Sequence, residues 1–226
     1  MSTAGPAAAS DQGPRAQRGL EAAALALAGI ALAVLVVRLV RRVDSLHAAT
    51  IAGIALLAGY LLADFVSGLV HWFCDRFFEE NTPIVGRLFI APFREHHRDP
   101  LAMTRHDSLE LLGNSALGML PILAAAWWCG DSLFADGLTI AFATASIAAN
   151  RFHAWAHTTD VSRTVQWLQG HRLVLPPRHH ARHHRGSYTS HYCMTTGWMN
   201  ACTDGLGVFT ALERTLRALG MPATSA

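Results

Sequence analysis

Lysine is absent from this chain of 226 residues, and all eighteen basic positions are arginine. Charged residues make up 15%, where a soluble domain carries roughly a quarter. Acid and base nearly cancel to a formal charge of +2, which removes any global electrostatic case for nucleic-acid binding. Cysteine is scarce: Cys74, Cys129, Cys193 and Cys202 show no C-x-x-C spacing, so they read as small apolar packers rather than a disulfide scaffold. The zinc-protease string H-E-x-x-H, a Gly-rich nucleotide loop and the G-x-S-x-G elbow are all missing. Those absences count against zinc proteolysis, phosphoryl transfer and serine hydrolysis.

What the chain has in excess is apolar residues, 51% of the total, gathered in runs. Four runs reach the length of about twenty residues that a helix needs to cross the hydrocarbon core. They cover about 20–40, 48–73, 109–129 and 133–156. Gly113, Gly118 and Pro121 fall inside the third and are tolerable in a membrane helix. Residues 1–19, rich in Ala, Ser, Gly and Pro, are expected to be a disordered segment. The run after them lacks a clear small-x-small cleavage site and reads as a retained span, not a signal peptide. Residues 20–220 then form one membrane domain, with a cap over 74–108 and 157–220 and a disordered tail over 221–226. Within the cap, Leu206 to Leu219 has helical apolar spacing suited to the membrane interface. The expected fold is an all-α membrane protein, with four transmembrane helices and a histidine-rich cytoplasmic cap of short helices.

Arginine placement orients the spans. With a cytoplasmic amino terminus, the inner regions hold fourteen of the eighteen arginines, and Arg151 near the inner end of the fourth span makes fifteen. Arg38, Arg41 and Arg42 dissent, at the outer end of the first span.

Ten of the thirteen histidines form four groups, all on that inner face. His71 ends the second span; His96, His97 and His106 follow it; His153 and His157 end the fourth; His179, His180, His183 and His184 lie in the tail. Imidazole is the commonest protein ligand for transition metals, and so many rings point to two metals or one elaborate site. The His153/His157 pair shares a helix face. A helical HHARHH would offer the pairs 179/183 and 180/184 on faces about 100° apart. Asp64 lies two turns before His71, and Asp75 continues the same stripe. An ionisable residue inside a span is costly and marks a functional interior, so Asp64 and His71 are the candidate catalytic pair. Asp64, Glu95, Asp107 and Asn150 are the candidates for holding ligand rings in place. His47, His171 and His191 stay outside this set.

Several strings are similar to the plasmanylethanolamine desaturase (Kua-type lipid desaturase) family. They are DFVSGLVHW from Asp64, PIVG from Pro83, PFREHHRDP from Pro92, TRHD from Thr104, HAWAH from His153, LPPRHHARHH from Leu175 and TTGWMN from Thr195. The resemblance implies oxygen-dependent 1,2-desaturation of the sn-1 O-alkyl chain of an ether phospholipid, giving a vinyl ether. It further implies two iron ions, molecular oxygen as co-substrate, and the ten grouped histidines as iron ligands or their support. The implied partners are the bilayer lipid and a cytochrome b5-like or ferredoxin-like electron donor at the cytoplasmic face, with no nucleic acid. The implied location is the bacterial inner membrane, or the endoplasmic reticulum in a eukaryote. Arg151 and Phe152 look atypical beside the family pattern. Another membrane di-iron lipid desaturase or hydroxylase is the neighbouring reading. A metal sensor or transporter would instead carry polar residues through several span centres.

Overall fold

The computed structural model describes residues 12–86, 90–129, 132–185 and 188–221. Four helices in it are long and apolar enough to cross a membrane. They are α1 (Gln12–Arg42), α2 (Leu46–Arg76), α4 (Ser108–Cys129) and α5 (Leu133–His157). Between the second and third lies α3 (Ala91–Arg98), and beyond α5 come α6 (Arg163–Gly170), α7 (Pro177–His180), α8 (Asn200–Gly205) and α9 (Val208–Ala218). No strand occurs among the described residues, so the all-α membrane architecture is as expected. Two edges differ from the sequence reading. Helix α1 begins at Gln12, inside the stretch expected to be disordered, while residues 1–11 lie outside the described residues. Met221 is also ordered: its N–H donates to Leu216 O at 3.0 Å, and its side chain packs against the Trp72 cluster. The rest of the expected tail, 222–226, lies outside the described residues.

Local chemistry sets the helix starts. Ser45 and Ser132 sit at N-caps, their hydroxyls accepting from the N–H groups of Ala48 at 3.2 Å and Ala135 at 3.1 Å. Pro121 lies within α4 without ending it.

Helices α2 and α5 pack side by side and parallel. Ala52 and Ala55 meet Gly137; Gly59 meets Leu138 and Phe142; Ala63 meets Phe142 and Ala145. The residue numbers rise together, which fixes the direction. Such small residues let two backbones approach closely where lipid offers no hydrophobic drive to association. Helix α1 packs on α4 through Ala24, Ala28, Leu35 and Ala116. Because α2 and α5 run in parallel, their carboxyl-terminal ends emerge at one end of the bundle. That is where the histidines are.

At the opposite end, Asp136 is 1% exposed and accepts from Arg38 (2.5 Å) and Arg42 (3.3 Å). Two of the three arginines that dissent from the positive-inside count are therefore held by a buried carboxylate.

Candidate metal centre

Eight histidines and one aspartate converge in two adjacent groups. The first is His96, His153, His157, His180 and His184; the second is His71, Asp75, His97 and His183. Each group draws on several elements. Helix α5 ends with His153 and His157 one turn apart, and α2 ends with His71 and Asp75 one turn apart. Neighbours on α3 divide: His96 enters the first group and His97 the second. Around α7, His180 and His184 join the first while His183 turns to the second. The groups abut, with His71 and His153 ring centroids 6.0 Å apart and those of His97 and His184 5.5 Å apart.

In the first group, Nε2 of His180 lies 2.7 Å from Nε2 of His153 and 3.0 Å from Nε2 of His184, which is itself 2.9 Å from Nε2 of His96. One proton satisfies one such nitrogen pair, but here the same nitrogens are shared along a chain of four rings. A single cation at their common centre resolves the crowding. Nitrogens about 2.1 Å from one ion lie about 3 Å apart along a coordination edge, matching these separations. Nε2 of His157 is buried without a hydrogen-bond partner.

In the second group, Asp75 Oδ2 lies 3.3 Å from His71 Nε2, 3.5 Å from His183 Nε2 and 3.6 Å from His97 Nε2. Both Asp75 oxygens and His71 Nε2 are buried and make no hydrogen bond. A buried carboxylate left bare among three imidazoles is costly unless a cation joins them. The donor set therefore fits two transition-metal ions held by imidazole and carboxylate.

The ligand rings are oriented from behind. His71 Nδ1 lies 3.0 Å from Tyr192 O, and His183 Nδ1 lies 2.8 Å from Ser190 O. Each Nδ1–H donating to a carbonyl leaves Nε2 unprotonated and aimed inward. Burial drives the ligand imidazoles toward the neutral form that metals require. It pulls His96 down to about 2, helped by His157 and His184, and His97 to about 4, helped by His184. It brings His183 to about 3 despite the Ser190 carbonyl, and His184 to about 4.

Asp64 stands one layer out. It is fully buried, and its Oδ1 accepts from the N–H groups of Thr195 (3.0 Å), Thr196 (2.8 Å) and Gly197 (3.0 Å), its Oδ2 from Met199 N–H (2.9 Å). The carboxylate thus ties the 195–199 turn to α2, just downstream of the Ser190 and Tyr192 carbonyls. Asp64 is a positioning residue in this geometry, and it belongs to neither ligand group.

Two of the ten grouped histidines are not brought to the centre. His106 is exposed and pairs with Glu110 at 2.7 Å. His179 turns away to Asn200 Nδ2 at 2.9 Å and packs on Gly197. The reason is that α7 ends at His180 and the chain continues in tight turns, with His183 N–H bonded to His180 O. That breaks the continuous helix on which a 179/183 pair depends. Of the expected supporting residues, Glu95 is exposed, Asp107 pairs with Arg18 at 2.8 Å, and Asn150 donates to Ser115 Oγ at 3.1 Å. None of these three contacts a ligand ring. Sequence reasoning placed Asp75 on the His71 stripe without counting it as a candidate ligand, although its spacing of four from His71 was a usable signal.

With this geometry in place, the comparisons with known proteins add a lineage. The lipid desaturase domain model matches residues 60–223, which takes in every residue of both groups. The chain belongs to the lipid desaturase family. It is 42% identical over 164 residues to a plasmanylethanolamine desaturase of Myxococcus xanthus, covering 71% of this chain and 58% of that protein. It is 39% identical to plasmanylethanolamine desaturase 1 of Mus musculus, covering 74% and 65%. It is 36% identical to fatty acid desaturase 4, chloroplastic, of Arabidopsis thaliana, covering 69% and 49%. The chain thus spans about half to two thirds of the length of these relatives. No solved structure matches it.

Proposed function

We propose that the protein is a plasmanylethanolamine desaturase: a membrane oxidoreductase that introduces the 1,2 double bond into the sn-1 O-alkyl chain of an ether phospholipid. The observation that carries this reading is the pair of buried ligand groups at one end of the bundle, in a chain similar to two plasmanylethanolamine desaturases. Two iron ions would be held by His96, His153, His157, His180 and His184 on one side and by His71, Asp75, His97 and His183 on the other. When bound, they supply the oxygen-activating chemistry that removes hydrogen from an unactivated C–H bond. The chain's own residues hold the ligand nitrogens neutral and exclude water from the centre. The balance is two hydrogens from the lipid, two electrons and two protons from outside, and dioxygen reduced to two waters. A cytochrome b5-like or ferredoxin-like donor would supply the electrons.

The face is cytoplasmic in this reading. The arginine count supports it, with fifteen of the eighteen arginines on or near that side. The membrane would be the inner membrane of a bacterium or the endoplasmic reticulum of a eukaryote.

Acyl-lipid desaturation is the second reading, favoured by the similarity to the Arabidopsis fatty acid desaturase. Lipid mass spectrometry separates the two. A heterologous host supplied with 1-O-alkyl phospholipid should accumulate acid-labile vinyl ethers with the intact chain, and none with His183→Ala/His184→Ala. Unabated vinyl ether in the double variant would refute the metal assignment. No vinyl ether from the intact chain, with oxygen and an active reductase present, would refute the substrate assignment.

A further inference from the structure

His97 is the least enclosed ligand of its group. The side chains of His71, Asp75 and His183 are fully buried, whereas that of His97 stays 8% exposed. It is also held differently. Nδ1 of His71 and Nδ1 of His183 each meet a main-chain carbonyl, but Nδ1 of His97 has no hydrogen-bond partner among the described residues. An aromatic face covers the ring instead. Tyr188 lies flat on the imidazole, with centroids 4.2 Å apart and planes 10° from parallel. The other rings around His97, those of His71, His96, His183 and His184, are all ligands themselves. Tyr188 is held in that place against its own backbone preference. Its φ of +49° lies in the left-handed region, which an aromatic side chain rarely adopts. Its carbonyl accepts from the Tyr192 hydroxyl at 2.6 Å, and the Tyr192 carbonyl is the one that holds His71. Backbone strain persists where the surroundings over-determine it, and it concentrates at functional sites.

We propose that Tyr188 is a positioning residue for the metal centre: its stacked ring keeps His97 turned toward Asp75 and His183, and so retains the ion of the second group. The proposal rests on the two-ion reading of the centre. The stack favours the loaded state. An imidazole bound to a cation takes on part of its positive charge, and the face of a phenol ring is negative. The contact is therefore stronger with the ion bound than without it. It also blocks the rotation that would swing His97 out toward solvent. Tyr192 then serves two ligands of one ion, His71 through its carbonyl and His97 by way of Tyr188.

The test is iron retention by the iron-loaded full chain in detergent, titrated with a ferrous chelator. Wild type should give up two ions, and the one missing from Asp75→Ala belongs to the second group. Tyr188→Leu should weaken the hold on that ion alone by about tenfold, the low end for losing a contact that orients a ligand ring. Tyr188→Phe keeps the ring face and should match wild type. Tyr188→Gly removes the ring while accepting the positive φ without strain. It should weaken the same ion at least as much, at a Tm no lower than that of Tyr188→Leu. Wild-type retention in the Leu or Gly variant would overturn the proposal and leave the two-ion reading intact. So would a Phe variant as weak as the Leu variant, which assigns the effect to the hydroxyl. Both ions weakened equally in the Leu and Gly variants would also overturn it, because that marks a general structural role. A single ion in wild type, kept in Asp75→Ala, would refute the two-ion reading itself and this proposal with it.

Discussion

His71 and Tyr192 are joined by a 3.0 Å contact from the imidazole Nδ1 to the main-chain carbonyl. The contact spans the whole distance in sequence between the second helix and the tail, and it turns Nε2 of His71 toward Asp75. His183 is held by Ser190 in the same manner. The 190–192 segment is therefore a bracket for half of the metal centre. Asp64, accepting four main-chain N–H groups a few residues on, fixes that bracket to α2.

The ligand set makes a discriminating prediction among neighbouring histidines. His180→Ala should lower bound iron from two ions per chain to about one, because its Nε2 sits centrally in the five-histidine group. His106→Ala and His179→Ala should keep both ions, since those rings face Glu110 and Asn200. Metal analysis of the purified variants decides it. Iron lost from His179→Ala as fully as from His180→Ala would restore a ten-histidine centre.

The α2–α5 seam predicts a contrast between two glycines. A Cβ at Gly59 would stand 2.2 Å from Leu138 O and 3.0 Å from Phe142 N, both main-chain atoms that cannot swing aside. At Gly53 nothing lies within 4 Å. Gly59→Leu should cost about 3 kcal/mol or more, the upper range of overpacking, while Gly53→Leu should be nearly neutral. Thermal unfolding in detergent would show a marked drop in Tm for the first alone. Equal Tm values would contradict the close packing.

The metal-free protein should be acid-sensitive. Burial holds His96 near about 2, His183 near about 3, and His97 and His184 near about 4. In the unfolded chain these rings titrate near about 6.5. Between those values the unfolded chain takes up protons that the folded one refuses, so stability falls as pH falls below about 6.5. Above that pH all four are neutral in both states and contribute nothing. The four rings should make Tm of the metal-free protein decline as pH falls from about 6.5 toward about 4. A Tm that rises on acidification would show that the rings are not held neutral.

The spans were legible because lipid imposes a length and a composition that sequence displays directly. Their parallel or antiparallel arrangement followed from counting crossings, and the gathering of histidines at one end followed from that. The sorting of those histidines was less legible. HHARHH reads as helix by spacing, yet Pro177 starts a single turn that ends at His180, and the tight turns after it send His183 and His184 to different groups. Asp75 was placed on the Asp64–His71 stripe but not counted as a ligand, for the opposite reason. It sits beside Arg76 at a helix end, where an aspartate ordinarily reads as a solvated charge. The role of Asp64 depends on a turn 131 to 135 residues away, a contact that no local pattern announces.

The central claim is that nine side chains hold two metal ions in separate, adjacent groups, one of them completed by Asp75. Iron content of the purified, iron-loaded protein tests it most directly, wild type against Asp75→Ala. The account predicts two ions per chain in wild type and about one in Asp75→Ala, with the five-histidine group still filled. One ion in wild type, or two retained in Asp75→Ala, would contradict it.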